Sequence, residues 1–205
     1  MALTDDLDRL IALGLPILAD LTDDQFRSLA DGLPDREGGT LMLHPDFIPA
    51  ERLVPLLRGA SGQPGFIVED LTDLASFVTR PEVTLPDRSL YMAVDPQRGD
   101  ELRNQSPDEA WPALVGAGRS PMTVHEGISW LLHRPELLEP NYCFMTIGTR
   151  RPKTNGWDAR TPALWISGGT GRDGRERTGA PKLGWCWAGN RHTWLGFGSV
   201  ADRVG

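Results

Sequence analysis

The chain has 205 residues, a net charge of −7 and 40% hydrophobic side chains, the length and apolar content of a folded protein with a substantial core. No apolar run reaches the ~18 residues of a membrane span: the best, Leu10 to Ala19, is broken by Pro16, and Asp5, Asp6 and Asp8 before it have the wrong sign for a secretory signal. These features exclude a membrane partner and predict a cytoplasmic protein with Cys143 and Cys186 as reduced thiols, one disulfide between them being left open by the sequence.

In chain order, residues 1–33 read as a helical N-terminal segment. Leu3, Leu7, Leu10 and Ile11 keep one helix face, Gly14 and Pro16 end it, and a second helix starts at Thr22 with Gln25 as capping-box partner and runs towards Gly32. Short strands are expected at 41–43, 66–68 and 90–94, with a short helix over 51–57 entered through Pro49. Ser106-Pro107-Asp108-Glu109 combines an N-cap, a proline at the first helical position and a capping-box acid, so a helix follows to Gly116 or Gly118, with Pro112 as a point of kinking. Thr123 and Glu126 repeat the pattern ahead of Val124, Ile128, Leu131 and Leu132. The remainder reads as strands at 142–147, 163–167, 184–188 and 193–197, the last two joined as a hairpin through Gly189-Asn190. Helices early and strands late predict one α+β domain over 1–205, its mostly antiparallel sheet built largely from the C-terminal half.

Charge is unevenly spread. Residues 1–110 carry 21 acids against 9 bases, and residues 111–205 carry 7 against 12 together with all seven tryptophans. A basic aromatic face would suit nucleic acid, but three of the bases lie in Gly168–Ala180 and the rest are scattered, so an acidic half covering a basic one is the better reading and nucleic acid is disfavoured. Gly168–Ala180 holds five glycines and no large apolar residue and is expected as a mobile surface loop. It is not a nucleotide loop, because Lys182 follows Pro181 and precedes Leu183 instead of opening a helix.

Metal spacing fails. His125 and His133 would stand about 12 Å apart along one helix at ~1.5 Å per residue, the i+4 partner of His125 is Ser129, and neither cysteine belongs to a CxxC pair. A site gathering His44, His125, His192 and a cysteine would have to be assembled by folding. No cofactor is named by the residues.

The segment Pro181–Gly196, PKLGWCWAGNRHTWLG, concentrates the chemistry. Cys186 with His192 across a hairpin forms a nucleophile–base pair, with Asn190 or Glu126 to orient the imidazole and Lys182 to depress the thiol pKa. Against this, Cys186 points opposite Trp185 and Trp187 by strand alternation, Glu126 is equally explained as a capping acid, and Asn190 as a turn residue. Trp165, Trp185, Trp187 and Trp194 either build the core or line a groove for a small ligand, peptide or base, with Lys182 and Asn190 as polar contacts.

Pro162-Ala163-Leu164-Trp165-Ile166-Ser167, Pro181 to Asn190 and His192-Thr193-Trp194-Leu195-Gly196 together resemble the C-terminal signature of an actinobacterial family of unknown function (DUF5701-like), with looser similarity through Gly118–Pro121, Glu126-Gly127 and Cys143-Phe144. The resemblance implies a shared fold and no chemistry, and the 168–180 loop is a local lengthening against it. The expectation is a small-molecule site near Trp185–Trp194, with Cys186, His192 and Glu126 as catalytic candidates for acyl or related group transfer; the alternative is a tryptophan-lined binding module without catalysis.

Overall fold

A computed structural model describes residues 2–205, and its elements follow the local signals closely. Helix α1 (Ala2–Ala12) buries Leu7 and Leu10. Gly14 turns the chain at φ +80°, a conformation that glycine reaches at little cost, and Pro16 falls in the first turn of the short α2 (Leu15–Leu18). Helix α3 (Asp23–Ser28) carries the Thr22–Gln25 capping box but ends before Gly32. Strand β1 (Gly39–Leu43) and helix α4 (Ala50–Leu53), which continues as a 3-10 turn to Leu56, precede the short strands β2 (Phe66–Ile67) and β3 (Val78–Thr79) and the longer β4 (Leu90–Val94).

The second half opens with α5 (Pro107–Gly116), which runs through Pro112 unbroken, then β5 (Ser120–Pro121) and α6 (Val124–His133). Strands β6 (Cys143–Met145), β7 (Thr149–Arg150), β8 (Pro152–Lys153), β9 (Gly156–Trp157), β10 (Arg160–Ile166), β11 (Pro181–Trp187), β12 (Leu195–Phe197), β13 (Ser199–Val200) and β14 (Asp202–Val204) complete the chain. No helix among the described residues is long and apolar enough to cross a membrane.

The strands form an α+β architecture with two main sheets. One is antiparallel, in the order β1-β4-β14, so the last strand of the chain returns to the N-terminal half. The other has the order β12-β6-β10-β11-β2, in which β10 pairs antiparallel with β6 and β11 while β12 and β2 join parallel at the edges. The expected hairpin of 184–188 with 193–197 is therefore corrected: β6 and β10 lie between β11 and β12, and residues 188–194 form a crossover rather than a tight turn.

Helix α6 packs against both sheets, and nine of its ten residues are buried. A helix buried on all sides needs small residues where it meets its neighbours. A Cβ at Gly127 would lie 2.6 Å from Thr146 Cγ2 and 2.9 Å from Leu164 Cδ1, on the five-stranded sheet. At Ser129 the hydroxyl accepts from Leu43 N–H of β1 at 3.1 Å and donates to His125 O at 2.7 Å. The main core, with Phe26, Leu41, Tyr91, Ile128 and Leu164, lies around α6; a second cluster between α5 and the other sheet face holds Leu114, Cys143, Met145, Ala163, Leu195 and Phe197.

Helix α1 is fastened by a buried polar bridge. Asp6 Oδ2 accepts from Leu41 N–H at 2.8 Å, while His133 places Nδ1 3.3 Å from Asp6 Oδ1 and Nε2 2.9 Å from Leu41 O. Burial pushes the Asp6 carboxyl up and the His133 imidazole down, so a proton between them is held in place of two solvated charges.

Candidate functional site

Register on β10 and β11 sorts the residues singled out by sequence. Leu164, Leu183 and Trp185 share the face towards the main core, whereas Thr161, Ala163, Trp165, Lys182 and Cys186 share the face towards the second cluster. Trp185 donates its indole N–H to Asp70 Oδ1 at 3.2 Å and meets Trp187 edge-on at 4.6 Å, and Trp187 stays half exposed. On the opposite face Trp165 meets Trp194 edge-on at 6.2 Å, and His192 meets Trp194 at 5.4 Å. Asn190 is exposed and donates its backbone N–H to Trp187 O at 3.0 Å, the turn role open to it in the sequence.

Lys182 is engaged. Its ammonium donates to both oxygens of Asp173, at 2.9 and 2.7 Å, and lies 4.8 Å over the Trp165 ring. Ser167 donates to the same carboxylate at 2.8 Å, so Asp173 ties the 168–180 connection to the ends of β10 and β11. Gly179 N–H adds a bond to Ser167 O at 2.8 Å. Arg172 pairs with Asp70 at 3.5 Å and Arg177 lies over Phe66, so these two arginines face the body of the protein and do not converge as an anion clamp.

The proposed Cys186–His192 pair is not assembled. No hydrogen bond joins the two among the described residues, and the crossover replaces the hairpin that would have brought them face to face. Burial pushes the Cys186 thiol up to about 11 despite the pull of Lys182 in the other direction, and Cys143 stands at about 11 for the same reason. Both cysteines are free thiols. His192 is lowered by burial, and its Nε2 is buried without a partner, as is the hydroxyl of Thr161 opposite Cys186.

Glu126 does not orient an imidazole. It is fully buried and takes Arg203 of β14 in a two-pronged ion pair, Nε to Oε1 at 2.5 Å and Nη2 to Oε2 at 2.9 Å, while Thr123 N–H donates to it at 2.8 Å as the capping box requires. Arg203 also donates to Ser120 Oγ at 2.6 Å and Pro121 O at 3.0 Å. The acid therefore clamps the C-terminal strand to the start of α6. Burial beside this pair raises the Tyr91 phenol well above its usual value.

The structure opens a different site. A cavity of ≈570 Å³ lies between the loop after β1 (His44 to Glu51), the segment from Leu74 to Leu85, and the start of α6 with Thr149. Leu74, Phe77, Val83, Leu85 and Val124 give it apolar walls. Its polar groups are two imidazoles, two threonines, the exposed Asp46 and Glu51, and Arg80. Arg80 is occupied, donating to Glu82 at 2.8 and 3.3 Å and stacking 3.6 Å over Trp111. His44 Nδ1 accepts from Asp46 N–H at 3.2 Å. His125 is held down to about 4, by burial first, against a bond to the Ile48 backbone that favours its charged form; its Nε2 is buried and unpartnered.

Sequence reasoning considered His44 and His125 only as metal ligands, and among the described residues no three His, Cys, Asp or Glu side chains converge to hold an ion. The cleft draws its walls from segments far apart in the chain, built of ordinary Pro, Val and Leu, so no motif announced it. Comparison with curated proteins and with solved structures gives no match. A family model does match, over residues 9–205, and it includes both the aromatic strands and the cleft: the chain belongs to DUF5701, a family of unknown function.

Proposed function

We propose that this chain is a small-molecule-binding protein and that its ligand occupies the His44–His125 cleft. One observation carries the reading: an open, largely apolar volume of ≈570 Å³ is lined by an imidazole whose Nε2 is buried with no partner. A buried polar atom left unpaired costs of order 1–3 kcal/mol, and a ligand that satisfies it while burying apolar surface recovers that cost. The aromatic strands then serve as framework. Their cationic and indole N–H groups are already paired, and a thiol at about 11 is almost wholly protonated at neutral pH, which removes the support for acyl transfer at Cys186.

The test is saturation-transfer NMR with a library of small aromatic and aliphatic fragments, on the wild type and on Ala75→Trp. Ala75 lines the mouth and is exposed, so an indole there fills the cleft without entering the core. Fragment signals present in the wild type and lost in Ala75→Trp support the reading; signals unchanged by the substitution reject it.

A further inference from the structure

We propose that the cleft selects uncharged ligands carrying a hydrogen-bond donor, an alcohol or phenol on an apolar body, with His125 Nε2 as the acceptor. This rests on the placement of the ligand in the cleft argued above. The tautomer of His125 follows from its bonds. The contact with the Ile48 backbone favours the protonated ring, so the ring is its donor, and Nε2, which has no partner, leaves Nδ1 as the donating atom. In a neutral imidazole the other nitrogen is then an acceptor.

His44 is set the opposite way. Its Nδ1 accepts from Asp46 N–H at 3.2 Å, so the proton of the ring is on Nε2. The cleft is thus lined by one imidazole acceptor and one imidazole donor, and a hydroxyl, which both gives and accepts, satisfies the two.

Charge is disfavoured in either sign. An anion meets the carboxylates of Asp46 and Glu51 at the mouth and finds Arg80 already held by Glu82 and Trp111. For a cation the lining supplies only those same exposed carboxylates, too well solvated to offset the loss of its own hydration among Leu74, Phe77 and Val83.

Three probes of nearly one shape separate these possibilities: 4-ethylphenol, 4-ethylanisole, which lacks the donor, and 4-ethylbenzoate, which is charged. Titrated into the full chain at pH 7, 4-ethylphenol is expected to bind about tenfold more tightly than 4-ethylanisole, the worth of one neutral hydrogen bond, with 4-ethylbenzoate weakest. Ala75→Trp abolishes binding of all three, and His125→Phe erases the preference for the phenol. Should His125→Phe not fold, the imidazole ¹⁵N spectrum of the wild type decides, because Nε2 of His125 must move with 4-ethylphenol and stay with 4-ethylanisole. Equal affinity for phenol and anisole, or a preference for the benzoate, with Ala75→Trp still blocking, overturns the donor selectivity and leaves the site standing. No binding of any probe, or binding that survives Ala75→Trp, overturns the site and this inference with it.

Discussion

On the β10–β11 face, Lys182 is held by Asp173 and Trp165 and, across the strand, Trp185 is held by Asp70, whereas in the cleft His125 keeps a buried nitrogen with no partner beside an open volume of ≈570 Å³. The first region has the residue types that catalysis uses, the second has mostly Pro, Val and Leu. A cysteine, a histidine and four tryptophans look like a site in one dimension because composition shows which groups are present and not whether they are already satisfied. Once the fold assigns partners, the demand for a ligand lies elsewhere. Thr161 Oγ1 and His192 Nε2 are the exceptions on the aromatic side, unpartnered yet packed beside the second core cluster.

The comparison breaks most severely if Glu126 belongs to chemistry instead of structure. Arg203→Ala leaves Glu126 buried without its counter-ion, and a loss of about 3–5 kcal/mol in urea unfolding is expected; a stable variant with altered thiol reactivity would return Glu126 to the Cys186 region. Next comes His125 in acid. Its folded imidazole takes a proton only near pH 4, while the unfolded chain takes it near 6.5, so above 6.5 the residue has no effect. As pH falls from 6.5 to 4 the unfolded state binds the proton first and stability drains by about 3 kcal/mol. His125→Phe should flatten that part of the wild-type curve, read as the difference between the two proteins' unfolding free energies at each pH; an unchanged slope would mean that the ring is solvated and the cleft does not bury it.

A smaller effect concerns Cys186. With its proton held to about 11, alkylation at pH 7 in a Cys143→Ser background is expected to run about a hundredfold below that of an exposed cysteine, and His192→Ala should leave the rate alone. Fast labelling that slows on losing His192 would restore the nucleophile. The least effect is expected for Trp187→Ala, which removes a half-exposed ring from the outer end of β11 and should cost about 1 kcal/mol or less in the same unfolding assay.

What was legible in the sequence was local. The three capping boxes, Thr22–Gln25, Ser106–Glu109 and Thr123–Glu126, all form, since each needs only a helix start and a side chain three residues on. Helix α1 and strands β1 and β4 likewise follow from short patterns, and the family resemblance carried by Trp165 and Pro181–Gly196 holds over nearly the whole chain. Pairing was not legible. Gly189-Asn190 has the composition of a hairpin turn, but β12 finds a parallel partner in β6, and the choice among partners is settled by burial of Leu195 and Phe197 against Cys143 and Met145 rather than by the turn. Strand β14 was missed because Asp202-Arg203-Val204 has no strand pattern of its own; its place is set by β4 and by the clamp to Glu126. The cleft escaped for the same reason: His44, Phe77, His125 and Thr149 become neighbours only when α6 is seated.

The most direct measurement maps where a fragment lands. Amide ¹H–¹⁵N spectra of wild type, Ala75→Trp and Trp187→Ala, each titrated with 4-ethylphenol, report both regions at once. The account predicts shifts at Val78–Arg80 and Val124–Gly127 that persist in Trp187→Ala and vanish in Ala75→Trp. Shifts confined to Thr161–Trp165 and Trp185–Trp194, abolished by Trp187→Ala and untouched by Ala75→Trp, would contradict it.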